Sequence, residues 1–209
     1  MRRRFTMGRC LVGALAVLLA SAIPVHSQDY VSANTTAARS QGSSAVQTAK
    51  ESNIKAVYLY SFGRFTTWPS KLTQPSDRFT IGVVGSTDVR ASLNKIASKR
   101  KIQDIPIEVK FYESASDIAV DDCQILYITG MVLPQDTAAL ITKLSGSPTL
   151  IVTETFDRPQ GTVVNFTHEG NGIQFEIDLD EAKRKQLALD ARLLRQGKRM
   201  IRNHSPQGL

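Results

Sequence analysis

Few residues in this chain are equipped for chemistry. Gly82-Val83-Val84-Gly85-Ser86-Thr87 follows a strand-like run and leads into a helix-like one, a place where backbone N–H groups can hold an anion. The stretch lacks GxGxxG spacing. It also lacks the GK[ST] ending that brings a lysine and a hydroxyl to phosphate and magnesium, so the reading is a turn with Ser86 or Thr87 near the helix cap. No GxSxG elbow occurs, and Leu144-Ser145-Gly146-Ser147 has the wrong order for one. Beyond residue 27 the only histidines are His168 and His204. His168-Glu169 falls in an expected exposed turn, and no second histidine stands at ligand spacing. Asp178, Asp180 and Glu181 suit a helix start, and Asp121-Asp122 reads as loop. No catalytic residue, metal site or cofactor is expected.

Two further groups favour contact over catalysis. Arg184, Arg192, Arg195, Arg199 and Arg202 would fall on one side of a last helix and form a solvated face, or else meet anionic lipid or an acidic partner. On the first helix Leu59 and Tyr60 point away from the apolar arc, toward a second element or an aromatic interface. Cys123, ahead of Ile125–Ile128, is expected to be buried.

The elements that must position these residues follow from periodicity. Ile54, Val57, Tyr58, Ser61, Phe62 and Phe65 lie within one arc of a helix that starts at about Glu51 and stops at Trp68-Pro69. Phe79–Gly85, Ile105–Tyr112, Gln124–Thr129 and Thr149–Thr153 are apolar runs suited to strands covered on both faces. Helices carrying Val89, Leu93 and Ile96, and then Ala138, Leu140, Ile141 and Leu144, separate them. Thr162–Thr167 and the alternating Ile173, Phe175 and Ile177 form a hairpin. Asp178 with Glu181 caps a long last helix running to about Arg199. The fold expected is α/β: three layers, a mostly parallel sheet with helices on both faces, a C-terminal antiparallel hairpin and a long helix.

The ends read differently. Arg2, Arg3, Arg4 and Arg9 precede an apolar run from Leu11 to Ile23 and the small-residue site ending at Ser27, the order of a secretory signal. Residues 1–27 are therefore expected to be a signal peptide cleaved near Ser27, 28–50 a disordered tether, 51–202 the domain and 203–209 a disordered tail. Four of the 26 basic side chains lie in residues 1–27 with no acid, so the rest carries 22 against 19 acids, a net charge of +3 rather than +7. That balance, without aromatic–basic interleaving, argues against nucleic acid. Of two cysteines, Cys10 lies in the leader, so Cys123 cannot form an internal disulfide afterwards.

Lys55-Ala56-Val57-Tyr58-Leu59-Tyr60-Ser61-Phe62-Gly63-Arg64-Phe65-Thr66-Thr67-Trp68-Pro69 resembles the opening motif of the YfiR-like periplasmic family. The resemblance continues through Phe79–Gly85, Cys123–Ile128, Leu150–Glu154, Asn165-Phe166, Phe175–Leu179 and Ala191–Leu194, covering about Glu51 to Arg199. It implies a non-catalytic periplasmic repressor that binds the sensor domain of an inner-membrane diguanylate cyclase or another membrane sensor, lowers cyclic di-GMP and biofilm formation, and forms a homodimer. Within that frame the expected partner-binding residues are Leu59, Tyr60, Arg64, Trp68 and Glu176. The family's best-known member carries internal disulfides tied to redox control. Here only Cys123 survives: the partner of that thiol is absent, and so is the pair expected between Glu154 and Gly161. The alternative is a periplasmic small-molecule-binding module, its ligand beyond the carboxyl ends of the strands, around Gly85–Thr87, Gly130 and Thr153–Phe156.

Overall fold

The apolar runs are continuous because their side chains alternate between two cores. In β2 (Phe79–Val84), Phe79, Ile81 and Val83 enter one hydrophobic cluster and Val84 the other. β5 (Ile125–Ile128) and β6 (Leu150–Thr153) divide in the same way. The computed structural model describes residues 29–69, 77–170 and 172–202. The expected signal peptide and tail, with His204, lie outside the described residues.

The chain divides into two compact units, residues 1–41 and 42–209. Of the first, the described residues 29–41 are helical. They belong to α1 (Asp29–Phe65), which continues into the second unit. The helix thus begins inside the stretch read as a tether. Its early part is rich in Ala, Gln and Ser and has no apolar stripe. Apolar periodicity could not reveal it, although Ala and Gln tolerate helix well.

In the second unit follow β1 (Thr66–Thr67), β2, α2 (Val89–Ala97), β3 (Lys101–Ile102), β4 (Ile105–Tyr112), a 3-10 turn at Ala115–Asp117, β5, α3 (Pro134–Lys143), β6, β7 (Val164–Glu169) and β8 (Gly172–Asp178). The eight-stranded sheet has the order β10-β8-β7-β6-β5-β2-β4-β3, where β10 is Arg199–Ile201. β4, β2, β5, β6 and β7 run parallel. β7 and β8 form the expected antiparallel hairpin, with Phe166 opposite Phe175 and Asn165 opposite Glu176. α1 and α2 contribute to the core on one face and α3 to the core on the other, so helices cover both faces.

The buried side of α1 is turned relative to the expected arc. Ala56, Leu59 and Phe62 are fully buried, whereas Val57 is exposed. The aromatic contacts set this rotation. Tyr58 and Phe62 meet Phe175 edge-on with ring centroids 4.9 and 5.0 Å apart, which brings Leu59 over the sheet.

The long last helix is replaced by α4 (Leu179–Arg184), β9 (Ala188–Leu189), α5 (Ala191–Leu194) and β10. Asp178 caps α4 as expected, accepting from the Glu181 N–H at 2.9 Å. The helix then ends where Gln186 takes φ +58°. The Leu187 N–H returns to the Ala182 carbonyl and that of Gln186 to Lys183, the paired bonds of a Schellman motif. Buried Lys185 meanwhile donates to the carbonyls of Leu144 and Ser147, at 2.8 and 3.2 Å, pinning this turn to the end of α3. The apolar spacing of Leu187 to Ile201 was compatible with a helix, but these tertiary bonds outweigh it. The arginine row therefore does not form. Arg184 pairs with Glu181, Arg192 with Asp190, and Arg199 lies on β10.

Candidate functional site

The sheet's parallel connections reverse direction at one place. From β2 the chain passes to β4 on one side and then returns to β5 on the other. The loops after β2 and β5 diverge there, leaving a crevice beyond the strands' carboxyl ends. A cavity of about 620 Å³ occupies it.

Two glycines shape its floor. Gly85 ends β2 with φ +93°, and a Cβ there would stand 2.2 Å from the Thr129 hydroxyl oxygen. At Gly130 a Cβ would lie 2.8 Å from the Glu154 carbonyl oxygen, so the chain after β5 can approach the chain after β6 only without a side chain. Ser86 and Thr87, Met131, Thr155 and Phe156, Thr167 and His168, with Thr48, Ser52 and Lys55 of α1, line the walls.

Glu154, the residue after β6, gathers the charged groups. The Lys55 ammonium lies 2.5 Å from its Oε1, the Tyr127 hydroxyl donates to Oε2, and His168 Nε2 stands 3.2 Å from Oε1. The side chains of Lys55 and Glu154 are 13% and 17% exposed, that of His168 52%. Burial alone would raise the Glu154 carboxyl, but the Lys55 and Tyr127 hydrogen bonds outweigh it and hold the carboxyl below its ordinary range. Burial and the neighbouring Glu154 charge push the Tyr127 phenol well above its ordinary value. Glu154 is thus an anion at neutral pH and Tyr127 a fixed neutral donor. That pairing favours holding a polar ligand over transferring a proton.

Asn165 fixes the loop that carries Glu154. Fully buried on β7, its Oδ1 accepts from the Thr153 hydroxyl at 2.8 Å and the Thr155 N–H at 3.1 Å, and its Nδ2 donates to the Thr155 carbonyl at 3.0 Å. Among the described residues no group of three or more His, Cys, Asp or Glu stands together as a metal site.

A family model described as YfiR/HmsC-like matches residues 52–198. The chain belongs to the YfiR/HmsC-like family. This family is one of periplasmic regulators of cyclic di-GMP signalling, generally non-catalytic. No curated protein matches the chain. Among solved structures it is similar to a conserved domain protein from Vibrio cholerae O1 biovar eltor, at 10% identity and a TM-score of 0.39, over 58% of this chain and 54% of that one. The chain thus spans about half the length of that protein. Among the described residues no helix is long and apolar enough to cross a membrane.

The five residues expected to bind a partner in this YfiR/HmsC-like domain are dispersed. Leu59 is fully buried, and Trp68 is 5% exposed with its ring edge-on to Phe79. Tyr60 is half-buried, its hydroxyl 3.5 Å from the Lys101 carbonyl, and exposed Arg64 lies over the rings of Tyr60 and Phe65. Glu176 is bound to Asn165 Nδ2 at 3.3 Å, on the opposite strand. Only Tyr60 and Arg64 share a surface. Of the loops named from the strand-end rule, Gly85–Thr87, Gly130 and Thr153–Phe156, the residues Ser86, Thr87, Gly130 and Glu154 to Phe156 line the cavity. The Lys55, Tyr127, Glu154 and His168 group was missed, and His168 faces Glu154 instead of standing free in a turn. One signal was present: Glu154 is an acid directly after a buried strand, and Tyr127 the only hydroxyl in Ile125–Ile128.

Proposed function

We propose that this protein binds the periplasmic sensor domain of an inner-membrane diguanylate cyclase or a related receptor, holds it inactive, and so lowers cyclic di-GMP and biofilm formation. Export with cleavage near Ser27 belongs to the same reading. Family membership supplies the signalling context. The observation that supports a docking role is an apolar rim around the cavity mouth. Met131, 75% exposed, and Phe156, wholly so, both line the cavity. Large apolar side chains gathered at one end of a domain suit a protein partner. Tyr60 and Arg64 form a second, separate candidate surface.

Such a regulator acts only if it binds the inactive cyclase better than the active one. A tenfold population change needs about 1.4 kcal/mol of that difference. The test is capture from the organism's own membranes with the purified protein as bait, with mass spectrometry of what is retained. Recovery of a diguanylate cyclase that is lost with Phe156→Asp and kept with Arg64→Ala supports the rim. The reverse pattern moves the contact to Tyr60 and Arg64, and recovery of no membrane sensor contradicts the reading.

The cavity favours a second reading, in which a small polar molecule is the ligand. A closed Lys55–Glu154–Tyr127 group beneath about 620 Å³ of space is suited to one. The two readings combine if that ligand alters the rim and hence the grip on the cyclase. Thermal stabilisation by metabolites, lost in Glu154→Gln, is the result expected of it.

A further inference from the structure

Three stretches far apart in sequence meet at the end of α1. Gly63 lets β3 come close on one side, since a Cβ there would stand 2.5 Å from the Ile102 side chain. Gln103 Nε2 donates to the Thr66 carbonyl at 2.9 Å, and the Tyr60 hydroxyl lies 3.5 Å from the Lys101 carbonyl. On the other side β1 pairs with β9, and the Asp190 N–H donates to the Phe65 carbonyl at 2.8 Å. The Arg192 guanidinium is thereby carried over the Phe65 ring, 4.8 Å from its centroid, and Arg64 lies over the same ring at 5.4 Å. Arg195 acts on the Asp190 charge from the end of α5. Arg192 and Arg195, which the expected last helix would have set beside Arg199, instead join Arg64.

We propose that this end of the domain rests on a phospholipid bilayer by binding its anionic headgroups. Charge is concentrated there. The exposed Arg64, Lys99, Arg100, Lys101, Arg192 and Arg195 stand with two carboxylates, Asp104 and Asp190, a net charge of +4, whereas residues 28–209 as a whole carry +3. Asp190 is taken by Arg192 at 2.8 Å. Among the described residues no ion pair holds Arg64, Lys99, Arg100 or Lys101. Unpaired cations gathered at one pole of a nearly neutral domain orient that pole toward an anionic surface.

The chemistry fits headgroups better than an acidic protein segment. A guanidinium stacked on a ring keeps its N–H edge outward, in the plane where a phosphate accepts, and Arg64 is exposed in that position. Tyr60 and Phe65 beside it are half-buried aromatic rings, the kind that sit at headgroup level. The cations stand outward on the ends of two helices and in a turn, which gives a field and no shaped seat for a peptide. Their place in the fold agrees. Roughly 15 Å of helix separates Lys55, beneath the cavity, from Phe65, and Trp68 packs on Phe79, the first residue of β2. The patch therefore lies at the amino ends of the strands, and the cavity with Met131 and Phe156 at the carboxyl ends. A domain resting on this patch leaves the rim free for a partner.

The test uses protein purified from cells expressing the full chain, with vesicles of phosphatidylethanolamine and phosphatidylglycerol. The protein should pellet with them at low salt and be released at about 0.5 M sodium chloride. With vesicles of phosphatidylcholine alone it should stay in solution. Arg64→Glu together with Arg195→Glu should weaken the partition about tenfold or more at an unchanged melting temperature. Lys50→Glu with Lys143→Glu, the same change of charge elsewhere on the exposed surface, should weaken it about twofold or less. Should the first pair fail to fold, an environment-sensitive dye decides. On Thr67→Cys, exposed beside the patch, its emission should shift to the blue on the vesicles, and on Met131→Cys, at the far end, it should not. No pelleting with the anionic vesicles overturns the assignment and hands the patch to an acidic protein surface. An unchanged partition in the Arg64 and Arg195 double variant, or a shift at Met131 and none at Thr67, overturns it equally. The vesicles hold no protein, so each of these outcomes is distinct from failure to capture a cyclase.

Discussion

Lys55 and Glu154 are joined at 2.5 Å although ninety-nine positions separate them, one on the first helix and one just past a central strand. The contact closes α1 over the carboxyl ends of the sheet and fixes the cavity floor. Glu154→Ala leaves the Lys55 ammonium largely buried and unpaired. Because some solvent reaches the pair, the expected loss is about 1–3 kcal/mol, read as a lower denaturant midpoint at an unchanged slope.

The same carboxyl gives stability a pH dependence of known sign. Its folded value lies below its unfolded one, so its contribution is complete above the unfolded value of about 4.3. It is lost as pH falls through the lower folded value. Glu154→Gln should flatten that acid limb in chemical denaturation series from pH 6 to pH 3. A limb unchanged by the substitution would remove Glu154 as its source.

Cys123 offers a probe of unfolding. The thiol is 2% exposed, and burial together with the Asp122 charge pushes it up to about 12. At pH 8 native protein should resist iodoacetamide at this position, with labelling appearing only as denaturant unfolds the chain. Rapid labelling of native protein would contradict the burial.

Asp178 joins the hairpin to the C-terminal segment. It caps α4 through the Glu181 N–H and sits 3.0 Å from Arg158, itself 15% exposed. Asp178→Ala should cost about 2–4 kcal/mol, from the lost cap and an uncompensated guanidinium. A thermal shift of a degree or less would show that neither contact carries weight.

The central strands β2, β5 and β6 were legible because both their faces are apolar, β8 by its alternation, and β4 falls on the expected Ile105–Tyr112. The strand-end rule likewise reached the cavity loops, since it depends only on strand direction. Three things were hidden. Leu59 was set off the apolar arc, toward a second element or an interface, and is buried because Tyr58 and Phe62 rotate α1 through contacts with β8. The last helix was overextended because its apolar spacing survives in the folded chain, while the tertiary bonds of Lys185 and the left-handed Gln186 break it. The Glu154 group draws on α1, β5, β6 and β7, and no local spacing encodes such a convergence.

The proposed restraint of a membrane cyclase rests on the rim at the open end of the sheet. Its most direct measurement is cellular cyclic di-GMP in a deletion strain carrying either the native gene or a Met131→Asp, Phe156→Asp variant, with exported amount and melting temperature matched. Deletion is expected to raise the nucleotide several-fold, the native protein to restore it, and the variant to leave it raised. A level unmoved by deletion, or full restoration by the variant, would contradict it.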